Sequence, residues 1–225
     1  MKKTLGAYLI EVLEARGVGH VFGIPGVHNL ELYRGLAASK IRHVAARHEQ
    51  GLGFMADGYA RVSGRPGICF TITGPGLTNI ITAMGQAYGD SIPLVVIASE
   101  NRRGELGTGR GFLHEMPDQL GVAARVSGMS RRITAPDQLP EALDLALAGA
   151  MGLRPRPAYI EIPRDVITAD ASGLPVPGAV IRRLRPETRA ATPSWSGISC
   201  RKPRPVPSSP RRFSLAMTRS GIESP

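Results

Sequence analysis

Two short stretches of this 225-residue chain hold residues suited to proton transfer and to ring binding: Arg47-His48-Glu49-Gln50-Gly51 and Thr73-Gly74-Pro75-Gly76-Leu77-Thr78-Asn79. Glu49 follows a short apolar run, Ile41 to Ala46, and precedes a segment, Gln50 to Val62, in which Leu52, Phe54, Met55, Tyr59 and Val62 recur at helical spacing. A carboxylate at such a junction stands where open α/β sheets bind ligands, and it gains from the helix dipole. The same preference explains an acidic residue that only supports its own helix, so the neighbouring segment has to discriminate. There the Gly-Pro-Gly turn lets backbone approach a flat ligand, because glycine has no Cβ, while Pro75 stiffens the turn and removes one N–H. Neither feature is specific alone; together, a group that can hold or pass one proton and a turn open to a flat ligand suggest a cofactor's proton relay.

The elements that must position these residues follow from periodicity. Leu5 to Arg16 reads as a helix ended by Gly17, with Val21-Phe22 opening a first strand. Arg65 to Thr73 is a near-continuous apolar, β-branched run that suits a strand covered on both faces, and the Gly-Pro-Gly turn separates it from a helix over Ile80 to Tyr88. Pro93 to Ala98 predicts another strand, Pro136 to Met151 a late helix and Ala158 to Ile162 the last strand. This alternation with short connections predicts a doubly wound α/β domain, a parallel sheet with helices on both faces, over residues 1–172. The glycine turn is not Gly-x-Gly-x-x-Gly and no acidic residue follows at the ribose-binding distance, which disfavours a nicotinamide site; no phosphate loop with Gly-Lys-Ser/Thr occurs either.

In order, Val21-Phe22-Gly23-Ile24-Pro25-Gly26, the Glu49 stretch, Ala56-Asp57-Gly58-Tyr59-Ala60-Arg61, the Gly74 stretch, Asp90-Ser91-Ile92-Pro93-Leu94 and Tyr159-Ile160-Glu161-Ile162-Pro163-Arg164-Asp165-Val166 resemble the N-terminal, pyrimidine-binding domain of thiamine-diphosphate enzymes of the acetolactate synthase and 2-oxoacid decarboxylase type. Pro25 to Gly35 and Gly109 to Pro117 are most similar to the 5-guanidino-2-oxopentanoate decarboxylase branch. The resemblance implies thiamine diphosphate as cofactor and a small 2-oxoacid as substrate. It implies that Glu49 hydrogen-bonds the cofactor's aminopyrimidine and favours its imino form, whose nitrogen removes the C2 proton. By the same resemblance Pro25, Gly26, Thr73, Gly74 and Asn79 shape the pyrimidine site, and His28 and His114 line its substrate end, where histidine can bind a carboxylate or move protons. It further implies a homodimer or tetramer, with the helix from Glu49 to Arg61 facing the partner. Family members use Mg²⁺, held by a Gly-Asp-Gly motif ending in asparagine in a later domain. That motif does not occur here, Gly89-Asp90-Ser91 being only its outline, and His20, His28, His43, His48 and His114 show no ligand spacing, so no metal site is expected.

The formal charge of +10 is concentrated after residue 172, where ten Lys and Arg face only Glu187 and Glu223; residues 1–172 carry the other 18 basic and 16 acidic side chains. A basic tail can signal nucleic acid, but Arg201 to Arg212 is Pro, Ser and Arg rich, without amphipathic period or stacking aromatics, and is expected to be disordered. It reads either as a basic arm or as the out-of-frame end of a shifted reading frame, the second being favoured. On that view the chain is a fragment lacking the diphosphate and Mg²⁺ half of the site, inactive alone, that binds the pyrimidine weakly or pairs with another chain. Neither a nucleic-acid nor a membrane partner is expected. Met1-Lys2-Lys3-Thr4 leads into no apolar stretch long enough for a signal peptide, and Cys69 and Cys200 offer no disulfide framework, so a cytoplasmic protein is expected.

Overall fold

Alternation along the strands sorts apolar side chains onto two covered faces. The computed structural model describes residues 2–176, in which β1 (His20–Gly23), β2 (Arg42–Val44), β3 (Gly67–Thr71), β4 (Leu94–Glu100), β5 (Met129–Arg132) and β6 (Ala158–Pro163) form one six-stranded sheet in the order β2-β1-β3-β4-β6-β5. Every pairing is parallel. Val21, Ile68, Phe70, Val95, Ile97, Ile160 and Ile162 pack on one face against α1 (Leu5–Ala15), α2 (Leu30–Leu36), α6 (Leu139–Ala150) and α7 (Arg164–Ile167). Their sequence neighbours Phe22, Cys69, Leu94, Val96, Ala98 and Tyr159 point the other way, under α3 (Glu49–Ser63), α4 (Pro75–Asp90) and α5 (Gln119–Ala124). Because both faces are covered, β3, β4 and β6 are buried along their whole length. The doubly wound sheet read from the sequence is the fold that forms.

The helices are placed by close approach. A Cβ on Gly53 would lie 2.5 Å from Ala83 Cβ, and one on Gly67 2.5 Å from the Ala56 carbonyl, so these glycines let α3 settle against α4 and β3. Arg61 on α3 reaches Asp57 at 2.5 Å and Asp90 at the end of α4 at 2.6 Å, tying the two helices together. Cys69 is fully buried and burial pushes its thiol up, which makes it an inert core residue. Residues 170–172 return to the start of the chain, where Thr4 bridges Asp170 and Lys3 N–H donates to Ser172 Oγ at 3.0 Å.

Three readings change in detail. α4 begins at Pro75, not Ile80, because proline at N1 loses no intrahelical bond and its fixed φ already suits the helix; Asn79 is therefore helical. The strand expected over Arg65 to Thr73 is ordered as β3 only over Gly67–Thr71, and the late helix is preceded by a 3-10 turn over Pro136–Gln138. α2, α5, α7 and β5 were not legible as elements. The tail from residue 177 on, with Cys200, lies outside the described residues.

Candidate functional site

The chain leaves β1 to β2 on one side of the sheet and returns as β3 on the other, so the loops after β1 and β3 part at a topological switch point, where such sheets bind ligands. Ile72 is wedged between them. A Cβ on Gly26 would meet its Cγ2 at 2.7 Å and one on Gly76 its Cγ1 at 2.8 Å. The Pro25–Gly26 turn is fixed by the buried Asn29, whose Oδ1 accepts from Gly26 N–H at 2.8 Å and whose Nδ2 donates to the Ile24 carbonyl at 3.1 Å.

Glu49 opens α3 after the short edge strand β2. His48 caps this helix, its Nδ1 accepting from Gln50 N–H at 3.2 Å, which sets the ring proton on Nε2. The carboxylate is half-buried, and its Oε2 accepts from Asn79 Nδ2 at 2.9 Å. Two sequence-predicted residues from different helices therefore meet, and no hydrogen bond from a described residue reaches Glu49 Oε1.

Gly74 adopts φ +63° and ψ −112° as the N-cap of α4, and a Cβ there would lie 2.4 Å from the His114 carbonyl oxygen. His114 itself has φ +59°. It is held there by the loop around Glu115, whose carboxylate accepts from Gly109 N–H at 2.6 Å, Gly111 N–H at 2.9 Å, Phe112 N–H at 3.1 Å and Thr108 Oγ1 at 3.1 Å. Burial opposes the charge on Glu115, yet these donors keep its carboxyl below the usual range. The loop borders an open depression of about 450 Å³ lined by Phe112, His114 and Glu115 among others. His114 stands edge-on to His28 with ring centroids 6.0 Å apart. His28 is only 2% exposed and neither ring nitrogen has a partner among the described residues; burial first, then Arg164 and His114, push its pKa down against the pull of Glu105, so the ring is neutral near pH 7. Pro25, Gly26, Thr73, Gly74, His28 and His114 thus gather around the switch point, while Glu49 and Asn79 pair one helical turn along α4. Gly74→Ala should shift the His114 loop and destabilise the domain by about 1–3 kcal/mol, since alanine tolerates neither the backbone angle nor the contact; an unchanged urea midpoint would contradict this.

Under the turn lies a polar group of which the sequence singled out only Thr73. Thr73 is fully buried and its hydroxyl faces inward, 2.9 Å from Glu100 Oε1 and 2.8 Å from Gln119 Oε1. Gln119 also accepts from Gly74 N–H at 2.7 Å, and its Nε2 donates to the Ser99 carbonyl at 3.2 Å and to Tyr159 Oη at 2.9 Å. Tyr159 donates in turn to Glu161 Oε2 at 3.0 Å, and Glu161 Oε1 pairs with Arg132 at 2.6 Å. Burial raises the Glu161 carboxyl in spite of Arg132, and burial together with the Glu161 charge pushes Glu100 up to about 7. Glutamates at the end of apolar β4 and within apolar β6 are the signal that could have found this group; Gln119 carries none.

A cavity of about 380 Å³ at the opposite edge of the sheet, lined by Arg16, His20, Tyr59 and Arg65 among others, touches none of these residues. Among the described residues no cluster of three or more His, Cys, Asp or Glu could hold a metal ion, and no helix is long and apolar enough to cross a membrane.

Residues 3–122 match the family described as thiamine pyrophosphate enzyme, N-terminal TPP binding domain. The chain is 58% identical over 166 residues to the probable 2-ketoarginine decarboxylase of Pseudomonas aeruginosa, covering 74% of this chain and 30% of that protein. It is 39% identical over 196 residues to the acetolactate synthase of Arthrospira platensis, covering 84% and 33%, and 38% identical over 170 residues to the acetolactate synthase isozyme 1 large subunit of Escherichia coli, covering 75% and 30%. The chain thus spans about a third of the length of the curated relatives it matches.

Proposed function

Because the chain belongs to the thiamine pyrophosphate enzymes, within their N-terminal TPP-binding domain, we propose that it is the pyrimidine-binding portion of a thiamine-diphosphate-dependent 2-oxoacid decarboxylase or carboligase. The observation that carries this reading is the Glu49–Asn79 pair at 2.9 Å, beside glycine-lined loops at the switch point of the sheet. Asn79 occupies one oxygen of the carboxylate and fixes its plane; the other is left for the ring nitrogen of an aminopyrimidine. The Cβ positions of Gly26, Gly74 and Gly76 are taken by Ile72 and the His114 backbone, so these glycines let the turns close onto Ile72 and the His114 loop beside the pair. The residues present therefore fit the pyrimidine half of the cofactor. When bound, thiamine diphosphate supplies a thiazolium carbon acid whose conjugate base adds to a 2-oxo group and takes up the electron pair released with CO₂.

The chain's own part is to orient and to manage protons. Glu49 holds one proton against the ring and returns it, favouring the imino tautomer. His28, buried, neutral and without a partner among the described residues, offers an N–H and a lone pair at the substrate end, with His114 beside it. The similarity to a 2-ketoarginine decarboxylase favours 2-ketoarginine, which is 5-guanidino-2-oxopentanoate, over the pyruvate-type substrates of acetolactate synthesis. The diphosphate and its Mg²⁺ are assigned to a complementary domain, and exposed Phe54, Met55 and Val62 on α3 support subunit pairing through that helix. Calorimetry tests the reading. Thiamine diphosphate with Mg²⁺ should bind when a diphosphate-binding domain of the family is added and bind weakly, if measurably, to the chain alone. Absence of binding in the reconstituted mixture, or binding that ignores Glu49→Ala, would sink it.

A further inference from the structure

Three buried oxygens stand in a row under the Gly74 turn: Glu100 Oε1, Thr73 Oγ1 and Gln119 Oε1, separated in succession by 2.9 and 2.8 Å. Backbone groups fix which end of the Gln119 amide is which. Gly74 N–H can only donate, so the atom 2.7 Å from it is Oε1; the Ser99 carbonyl can only accept, so the atom 3.2 Å from it is Nε2. Gln119 therefore presents an acceptor to Thr73. The threonine hydroxyl has one proton for two neighbours. Were Glu100 a carboxylate, both neighbours would be acceptors, and one of the two short contacts would set lone pair against lone pair in the core. One added proton removes the conflict: a Glu100 carboxylic acid donates to Thr73, and Thr73 donates onward to Gln119.

We propose that Glu100, protonated in the folded protein, and Gln119 are positioning residues for the Thr73–Gly74 turn, and that loss of the Glu100 proton resets the turn. That the turn serves a cofactor rests on the reading above; the proton count does not. The surroundings agree with the count. Glu100 is 2% exposed and its Oε2 has no partner among the described residues, so an anion there would leave one buried oxygen without a donor. The charges that reach it are Glu161 from β6, which repels a second negative charge, and Arg132 from β5, which favours it but is engaged by Glu161 at 2.6 Å. Tyr159, also on β6, donates to Glu161 and not to Glu100. From within its own loop Glu100 receives Asn101 N–H at 3.0 Å. These opposing influences bring the carboxyl to about 7. On ionisation the Thr73 proton turns to Glu100, and Gln119 Oε1 keeps only Gly74 N–H while facing the Thr73 lone pairs. Gly74, at φ +63° and pressed on the His114 carbonyl, is the joint that takes up the change, directly before the first turn of α4 that carries Asn79 to Glu49.

The test needs no cofactor, so it stands or falls apart from the calorimetry. In the isotope-labelled chain the Glu100 carboxyl carbon, the Gly74 amide and the Gln119 side-chain amide are followed by NMR through the neutral range. All three should titrate with one midpoint near 7, the value to which Glu100 is raised. Glu100→Gln should abolish the Gly74 response. Thr73→Val, which swaps the hydroxyl for a methyl of the same shape, should leave Glu100 titrating while Gly74 no longer follows. His114→Asn and His28→Asn should each leave the response in place, which separates Glu100 from the two nearby histidines. A Glu100 midpoint at the ordinary 4.5 overturns the proposal, as does a Gly74 response that survives Glu100→Gln and disappears in His114→Asn.

Discussion

In an enzyme reconstituted with thiamine diphosphate and a diphosphate-binding domain, Glu49→Gln slows exchange of the cofactor's C2 proton by roughly 100- to 10,000-fold, the range for loss of a positioned acid–base group. The substitution keeps the shape of the side chain and leaves an oxygen to accept from Asn79 Nδ2, so the helix pair α3 and α4 is undisturbed. What it removes is a group able to give a proton to the ring and take it back. Cofactor affinity should therefore change little while exchange collapses, a split that a general loss of folding would not produce. Deuterium exchange at C2, quenched at short times, measures it; an exchange rate equal to that of the native protein removes Glu49 from the mechanism.

How far such a site can be read without coordinates depends on whether its parts are local. β3 and β4 were legible because a parallel strand covered on both faces needs a continuous apolar run, and Ile68 to Phe70 and Leu94 to Ala98 supply one. Glu49 and the Gly74 turn were legible because each sits where such a run gives way to a helix. β5 was not, since Met129-Ser130-Arg131-Arg132 has no apolar pattern; it exists because its backbone pairs with β6 and Arg132 reaches Glu161 at 2.6 Å. The motif residues Asp57, Arg61 and Asp90 illustrate the converse. They carry the family resemblance, yet their observed work is to join α3 to the end of α4, which fixes the helix that presents Glu49. Gln119 escaped because its meaning lies wholly in partners from other elements: Gly74, Ser99, Tyr159 and Glu161. A glutamine in a short helix after a glycine-rich loop announces none of that.

The buried acids make stability depend on pH with a sign opposite to the usual acid unfolding. Glu100 rises from 4.5 to about 7 on folding, so the folded state holds the proton more tightly than the unfolded chain. The associated stability is fully present below the unfolded value and is lost as pH climbs through the folded one. Each tenfold gain in proton affinity is worth about 1.4 kcal/mol, so the loss amounts to about 3 kcal/mol between acid and mildly alkaline solution. Glu161, also raised, adds a slope of the same sign, whereas His28, lowered by burial, contributes the opposite slope around its own titration. Comparing the native protein with Glu100→Gln by urea unfolding cancels those shared contributions and leaves Glu100 with its coupling to Glu161. The native protein should lose stability relative to the variant as pH rises through the window from 4.5 to about 7. Parallel profiles across that window would mean that the Glu100 carboxyl finds in the folded core the solvation it has in water, and that the proton shared along Thr73 and Gln119 is not there.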